Sequence, residues 1–393
     1  MLPEEEVVQQ ASAKSTATEF PVLKILYLGR NSGTSKQRKD ALVRLGHQVA
    51  QIDPYALLPW NRTVSLWQWR TGSLGLAEIV RRRVLQSLGR AGSDQTSFDL
   101  VWVEDGSLIG AGLVRDLKAR IPRVLCYTID DPFGGRDKMR WRQLFHALPI
   151  YDLLVVVRAC NVQEAYDHGA PKVLRVFMSA DEVAHAPRQL TADERRLWGS
   201  EVVFVGTAFP ERGPFLAELA RLGVPIAIYG YRYQNLPQWP MLRPYWRSAN
   251  TDSTEDYARA IGSAKLCLGL LSKGNRDQHT TRSMEIPSLG SLLCAERTPE
   301  HLALYEEDHE AVFWDTPEEC AAKCFALLAD APRREAIAAA GRQRFLKNPW
   351  RNMAVLESIL NAALAPSGAP DLAIASGEGS ETRALHVKLA VEA

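Results

Sequence analysis

Short apolar runs, each about the length of one buried strand, alternate with helix-spaced segments along this chain, and the series starts twice. The first series runs through 22–28, 48–52, 100–103, 124–129, 153–157 and 173–176. A continuous apolar run marks a strand buried on both faces, and such strands occur in parallel sheets covered by helices. Between them, Leu76, Ile79, Val80, Val84 and Leu88 recur at the three- and four-residue spacing of a helix. The second series runs through 201–205, 226–229, 265–270 and 292–295. Pro214 opens one of its helices, with Phe215, Leu216, Leu219 and Leu222 before Gly223. Thr316-Pro317-Glu318-Glu319 opens another as a capping box. The alternation predicts an α/β chain of two Rossmann-like parallel-sheet domains facing a central cleft. A length of 393 residues, too long for one ordinary core, agrees.

The boundaries follow from composition. Residues 1–20 are polar and aperiodic, and are expected to be disordered. The first domain is expected at 21–187 and the second at 200–345, with a polar linker near 187–200. Asn348-Pro349 is a boundary signal. The helix expected at 349–363 carries Met353, Leu356, Ile359 and Leu360 on one face and is expected to return to the first domain. Residues 366–393, rich in Ala, Gly, Ser and Glu, read as a flexible tail.

With 46% hydrophobic and 24% charged residues the chain is globular, and its net charge of +1 argues against nucleic acid as a partner. No apolar run approaches the roughly 20 residues of a membrane span. The acidic N-terminus lacks the apolar stretch of a signal peptide, so a cytoplasmic location is expected. Arg81-Arg82-Arg83 leaves two readings, a solvated helix face or, at most, peripheral contact with an anionic membrane. The cysteines Cys126, Cys160, Cys267, Cys294, Cys320 and Cys324 read mostly as reduced core thiols. Cys320 and Cys324 lie four apart on a predicted helix, but no histidine pair complements them, so no metal is expected. Nothing in the sequence sets the oligomeric state.

Ligands of parallel sheets bind outside the carboxyl ends of the strands. Gly29-Arg30-Asn31-Ser32-Gly33, Glu104-Asp105, Asp130-Asp131 and Gly206-Thr207 all end strands and would line the cleft. Taken singly, each is also an ordinary turn. The most informative segment runs from Lys273 to Gly290, out of a buried strand and into a helix. Asp277 and Glu285 can accept hydrogen bonds from sugar or ribose hydroxyls. Lys273, Arg276 and Arg282 add positive charge, and a helix N-terminus adds backbone N–H groups for phosphate. The plain alternative is a solvated Arg282–Glu285 pair at i,i+3 spacing. Pro287 either shortens or kinks the helix. Two aromatic stretches, Trp60, Trp67 and Trp69, and Tyr229, Tyr231, Tyr233, Trp239, Tyr245 and Trp246, suit either stacking on sugars and bases or packing within long loops.

Thr281-Arg282-Ser283-Met284-Glu285-Ile286-Pro287-Ser288-Leu289-Gly290, the later Glu310-Ala311-Val312-Phe313-Trp314-Asp315, and Ala336-Ile337-Ala338-Ala339-Ala340-Gly341 resemble the C-terminal domain of the CgeB-type, spore-maturation-protein-like glycosyltransferases. Glu201-Val202-Val203-Phe204-Val205-Gly206-Thr207, followed by Arg212, resembles that domain's first strand, and Tyr127-Thr128-Ile129-Asp130-Asp131-Pro132 is a weaker match in the first half. The resemblance implies a GT-B fold with a glycosyl transferases group 1-like second domain that binds a nucleoside diphosphate sugar. It implies transfer of that sugar to an unidentified acceptor, without metal or other cofactor and leaning toward retention. By the resemblance, Glu285 holds the ribose, Asp277 takes the first place of a Glu-x7-Glu pair, and Gly206, Thr207, Arg212, Lys273 and Arg282 face the diphosphate. The acceptor enters against Gly29, Asn31, Ser32, Gly33 and Asp105, with Glu104, Asp130 or Asp131 as base if the reaction inverts. A nucleotide-sugar epimerase and a non-catalytic binding or assembly protein of the same fold are the alternative readings.

Overall fold

The structure, a computed structural model, describes residues 21–90, 97–248 and 253–366. The N-terminal segment 1–20 and the tail from 367 onward lie outside the described residues. The first domain holds strands β1 (Lys24–Leu28), β2 (Gln48–Ile52), β3 (Leu100–Glu104), β4 (Val124–Tyr127), β5 (Leu153–Val156) and β6 (Val173–Arg175). They form a parallel sheet of order β2-β1-β3-β4-β5-β6. The second domain holds β7 (Ser200–Val205), β8 (Ile226–Tyr229), β9 (Trp246–Ser248), β10 (Ala264–Gly269), β11 (Leu293–Glu296) and β12 (Val312–Trp314). Its order is β12-β11-β10-β7-β8-β9, and the pairs within it from β12 to β8 are parallel. Winding outward in both directions from β7 and β10 creates a switch point between them, where the loops leave to opposite sides and open a crevice.

Each sheet is buried on both faces. In the first domain one face carries Leu26, Val101, Val103, Val124 and Leu154, and the other Ile25, Tyr27, Trp102, Leu125 and Val155. The helix Asn352–Leu364 packs onto that second face through Val355, Leu356, Ile359 and Leu360, so the chain ends its described part on the domain where it began. The outward crossing and the return lie side by side. The Ala180 N–H donates to the Trp350 carbonyl (3.0 Å), the Asn352 N–H to the Ala180 carbonyl (2.9 Å), and Asn352 Nδ2 to Asp181 (3.1 Å). The polar linker is not all loop. It contains the helix Ala192–Trp198, started by a capping box of Thr191 and Glu194.

Pro287 neither stops nor shortens its helix, which spans Thr281–Ser288. A proline lacks the N–H that should reach the carbonyl four residues back, that of Ser283. Tyr305 supplies the donor instead, its hydroxyl 2.7 Å from the Ser283 carbonyl oxygen. Tyr305 is fully buried, so removing its hydroxyl leaves that carbonyl without a partner in a dry environment. Tyr305→Phe is therefore expected to lower unfolding free energy by about 1–3 kcal/mol. Denaturant titration of the two proteins measures this, and an unchanged midpoint would show that the carbonyl finds another donor.

Candidate active site

Two glycines bring the backbone together at the switch point. Gly206 follows β7 and Gly230 follows β8. Gly230 has φ +136, and a Cβ there would lie 2.1 Å from the Gly206 carbonyl oxygen, so only glycine fits. The aromatic residues after β8 brace this turn. Tyr233 donates its hydroxyl to the Gly206 carbonyl (3.0 Å), and Trp246 donates Nε1 to the Gly230 carbonyl (3.0 Å). Of the two readings of this stretch, these two side chains follow the packing one.

Two guanidinium groups converge on the same turn. A Cβ on Gly206 would meet Arg282 Nη2 at 3.0 Å and Arg212 Nη1 at 3.2 Å. Arg212 is buried and donates only to carbonyls: Thr207 (2.9 Å), Leu270 (2.9 Å) and Leu271 (3.2 Å). It thereby ties the loop after β7 to the loop after β10, across the crevice. Arg282 donates Nε to the Val205 carbonyl (2.6 Å). Among the described residues neither forms an ion pair with a carboxylate, and the expected Arg282–Glu285 pair is not formed. Burial and the neighbouring Arg282 push the Arg212 cation down to about 10, still charged at neutral pH. Arg282 also sits in the first turn of its helix, where the helix dipole disfavours a cation. Three independent unfavourable terms for positive charge meet at one point that faces the loops after β7 and β10.

Glu285 lies one turn further along this helix, buried. It accepts the Tyr257 hydroxyl (2.7 Å) and has His185 Nε2 at 3.7 Å. Lys273, expected with the arginines, is instead exposed and paired with Glu296. Its loop joins the two domains. Asp277 is buried and paired with Arg158, which also donates to the Ile129 carbonyl (2.9 Å). Arg276 reaches Asp131 (2.6 Å) and Glu164 (2.7 Å). Asn275 Nδ2 reaches Asp130 (3.3 Å). His279 accepts the Met178 N–H at Nε2 (3.0 Å), which fixes Nδ1 as the donor to Glu300 (2.5 Å). Arg175 completes that chain on Glu300 (2.5 Å).

On the first-domain wall, Glu104 has both oxygens engaged, by Arg38 (2.9 and 2.6 Å) and by Trp102 Nε1 (2.9 Å). Asp105 adopts φ +72 and accepts from Arg140 (2.7 Å) and the Tyr55 hydroxyl (3.1 Å). Burial opposes the charge of Asp130, but Arg140 and Arg136 outweigh it and hold the carboxyl below its ordinary range. Asp131 is likewise held low, burial being outweighed by Arg276 and Asn161. Gly29, Asn31, Ser32 and Gly33 form the turn after β1, with Arg30 stacked over Tyr55 at 3.5 Å. Arg81 and Arg82 are paired with Glu78, and Arg81 also with Asp116, while Arg83 donates to the Leu57 carbonyl. No described helix is long and apolar enough to cross a membrane. Sequence reasoning passed over Arg158, Arg140 and Tyr257 as site residues. Arg158 alone carried a usable signal, ending a buried apolar run as Glu104 does.

The sequence signature of a family described as glycosyl transferase-like matches residues 212–361, which span Arg212, Asp277, Arg282, Glu285 and most of the returning helix. That match covers less than half of the chain. No curated protein matches the chain in sequence. Among solved structures, sucrose-phosphate synthase from Thermosynechococcus elongatus is similar at TM-score 0.63 and 12% identity, covering 87% of this chain and 99% of that one. Anabaena HepE, crystallised with UDP-glucose, is similar at TM-score 0.59 and 12% identity, covering 86% and 99%. A putative UDP-N-acetylglucosamine 2-epimerase from Listeria monocytogenes follows at TM-score 0.52 and 9% identity, covering 87% and 96%. These likenesses establish the GT-B fold, and the matched residues 212–361 fall in its second half.

The buried Arg158–Asp277 pair yields a stability prediction. Arg158→Ala leaves a buried, unpaired carboxylate and is expected to cost about 3–5 kcal/mol. Arg158→Met with Asp277→Asn should recover much of it, since both charges go together. Equilibrium denaturation of single and double variants checks this, and additive losses would contradict it. Asp131 supplies a pH test. Its folded value is depressed, so its contribution is complete above the ordinary carboxylate value near ~3.9 and is lost as pH falls through the folded value. The melting difference between wild type and Asp131→Asn should be constant from pH 7 to about 5 and shrink below about 4.

Proposed function

We propose that this chain transfers a sugar from a nucleoside diphosphate sugar to an acceptor, and that it stands with the CgeB-type branch of the glycosyl transferase-like proteins. The reading rests on the two unneutralised guanidiniums at Gly206. A diphosphate there would remove their mutual repulsion and supply the acceptors that the carbonyls only partly provide. Those same cations would stabilise the diphosphate as it leaves, the role of preorganised donors in such a site. Charge supplied this way supports transfer without a metal. Glu285, oriented by Tyr257, is proposed to accept the ribose hydroxyls. UDP is the first nucleotide to test, because HepE is crystallised with UDP-glucose.

The acceptor is proposed to enter along the turn after β1 and Asp105. Asp130, held low by Arg140 and Arg136, is a weak proton acceptor, which supports retention, where no protein base is required. Asp277 would contact the sugar only after exchanging its partner Arg158. That engagement, with Asp131 and Glu104 similarly occupied, favours the alternative of a non-catalytic binding protein.

A thermal-shift panel of UDP, GDP, ADP, CMP and dTDP separates the readings at the first step, since a ligand that binds the folded state raises its melting temperature. Incubation with the best-bound sugar nucleotide then follows. Release of nucleoside diphosphate that increases with an acceptor supports transfer, conversion of the sugar without acceptor supports epimerisation, and binding without turnover supports the non-catalytic reading. Arg212→Ala and Arg282→Ala are each expected to weaken diphosphate binding by about 1–3 kcal/mol in calorimetry. Unchanged affinity in both would remove the anion from this turn. Glu285→Gln should lose about tenfold in nucleotide affinity, as should a 2′-deoxyribose analogue on the wild type, and the two losses should not add.

A further inference from the structure

Behind the donor loops the structure gathers three cysteines that the sequence keeps apart. Cys294 lies within β11, and Cys320 and Cys324 lie one turn apart on the helix Pro317–Ala329 that covers it. Residues at i and i+4 share one helix face, so both thiols point at the same strand. All three residues have no exposed surface, and their sulfur atoms lie within 4.8 Å of one another. In a thiolate metal site with bonds of about 2.3 Å, neighbouring sulfurs are roughly 3.8 Å apart. A common centre therefore needs only a small side-chain adjustment, with no movement of strand or helix.

The number and kind of donors restrict the occupant. Among the described residues no histidine, aspartate or glutamate joins the three sulfurs. The surrounding side chains, Leu268, Val312, Leu327 and Ile337 among them, are apolar and belong to the same core cluster. Lys323 on the same helix is committed to Glu307 (2.9 Å) and the Phe313 carbonyl (2.7 Å). Zinc in such surroundings would lack a fourth ligand, because it closes its structural sites as tetrahedra. Soft sulfur donors select soft ions. We propose that Cys294, Cys320 and Cys324 form a three-sulfur site for a soft, three-coordinate thiophile of the Cu(I) or trivalent arsenic class. Binding balances simply. Each of the three hydroxyls of arsenous acid takes one thiol hydrogen and leaves as water, three As–O bonds breaking as three As–S bonds form, while Cu(I) displaces thiol protons into the buffer. The site is independent of the nucleotide reading, although Cys294 is two residues from Glu296, which accepts the Leu271 N–H (3.0 Å) of the donor loop.

The test uses the full chain, reduced and kept under nitrogen, titrated separately with Cu(I) under a competing chelator, with arsenite and with Zn(II). One equivalent of Cu(I) or arsenite is expected to bind, with three sulfur neighbours by X-ray absorption. Cys294→Ser should weaken that binding at least about tenfold, the scale on which metal sites respond to altered ligation. Cys160→Ser, at the one exposed cysteine among the six, should leave it unchanged. Should the serine variants fold poorly by circular dichroism, alkylation mapping on the wild type replaces them, with the bound ion protecting these three thiols during unfolding and leaving the others reactive. Arsenite binding without Cu(I), or the reverse, identifies which ion the site takes. Binding of neither, fewer than three sulfur neighbours, tighter binding of Zn(II) than of both, or protection confined to other cysteines would overturn the proposal.

Discussion

Two guanidinium groups held beside one glycine, with no carboxylate between them, is the arrangement on which the second domain turns. Burial disfavours the charge of Arg212, Arg282 disfavours it again, and the helix dipole disfavours Arg282. Folding tolerates this because each cation finds backbone carbonyls: Thr207, Leu270 and Leu271 for Arg212, and Val205 for Arg282. Those carbonyls lie at the carboxyl end of β7 and in the loops that follow β7 and β10. The arginines thus stitch together the two strands between which the sheet reverses its winding. Gly206 suits the same need, since a Cβ there would press on both cations.

The domain interface obeys the opposite rule. There, among the described residues, strong charges are matched across the domains: Arg158 with Asp277, Arg276 with Asp131 and Glu164, and Arg175 with Glu300. A buried pair such as Arg158–Asp277 adds little net stability over apolar packing, but each partner is costly to leave alone. Such a pair therefore acts more as a specification of how the domains meet than as a source of cohesion. Asp277, Arg276 and Asn275 all belong to one short loop, so register at the interface is set by a few consecutive residues.

The fold was legible because parallel sheets buried on both faces write themselves as plain apolar runs. The run at 22–28 contains β1, the run at 201–205 covers β7 except Ser200, and the restart of the series announced a second sheet. What stayed hidden depends on long-range partners. Pro287 looked like a conflict, and its resolution lies in Tyr305, whose hydroxyl has no local signature. The aromatic stretch after β8 could be read as a stacking surface until Tyr233 and Trp246 were seen to hold glycine carbonyls. Arg276 and Arg282 were equal in sequence as loop cations. Only the opposing domain distinguishes them, by bringing Asp131 to one and no carboxylate to the other. The helix Ala192–Trp198 was legible in principle, because Thr191 and Glu194 form its capping box, but the polar composition of the segment masked the signal.

The two rules meet in the segment from Leu270 to Asp277. At its start, Arg212 holds the Leu270 and Leu271 carbonyls while Glu296 accepts the Leu271 N–H. At its end, Asp277 accepts the Ser272 N–H (3.1 Å) with one oxygen and Arg158 of the first domain with the other. Few residues separate a cation that lacks an anion from an anion that already has its cation. An anion arriving at Arg212 would act on the same backbone that carries Asp277, and any shift there is felt by Arg158, which is too buried to find water as a substitute partner. A single loop is fastened at one end by the unneutralised charge and at the other by the neutralised one. That physical continuity joins the unneutralised charge at the crevice to one of the contacts that hold the two domains.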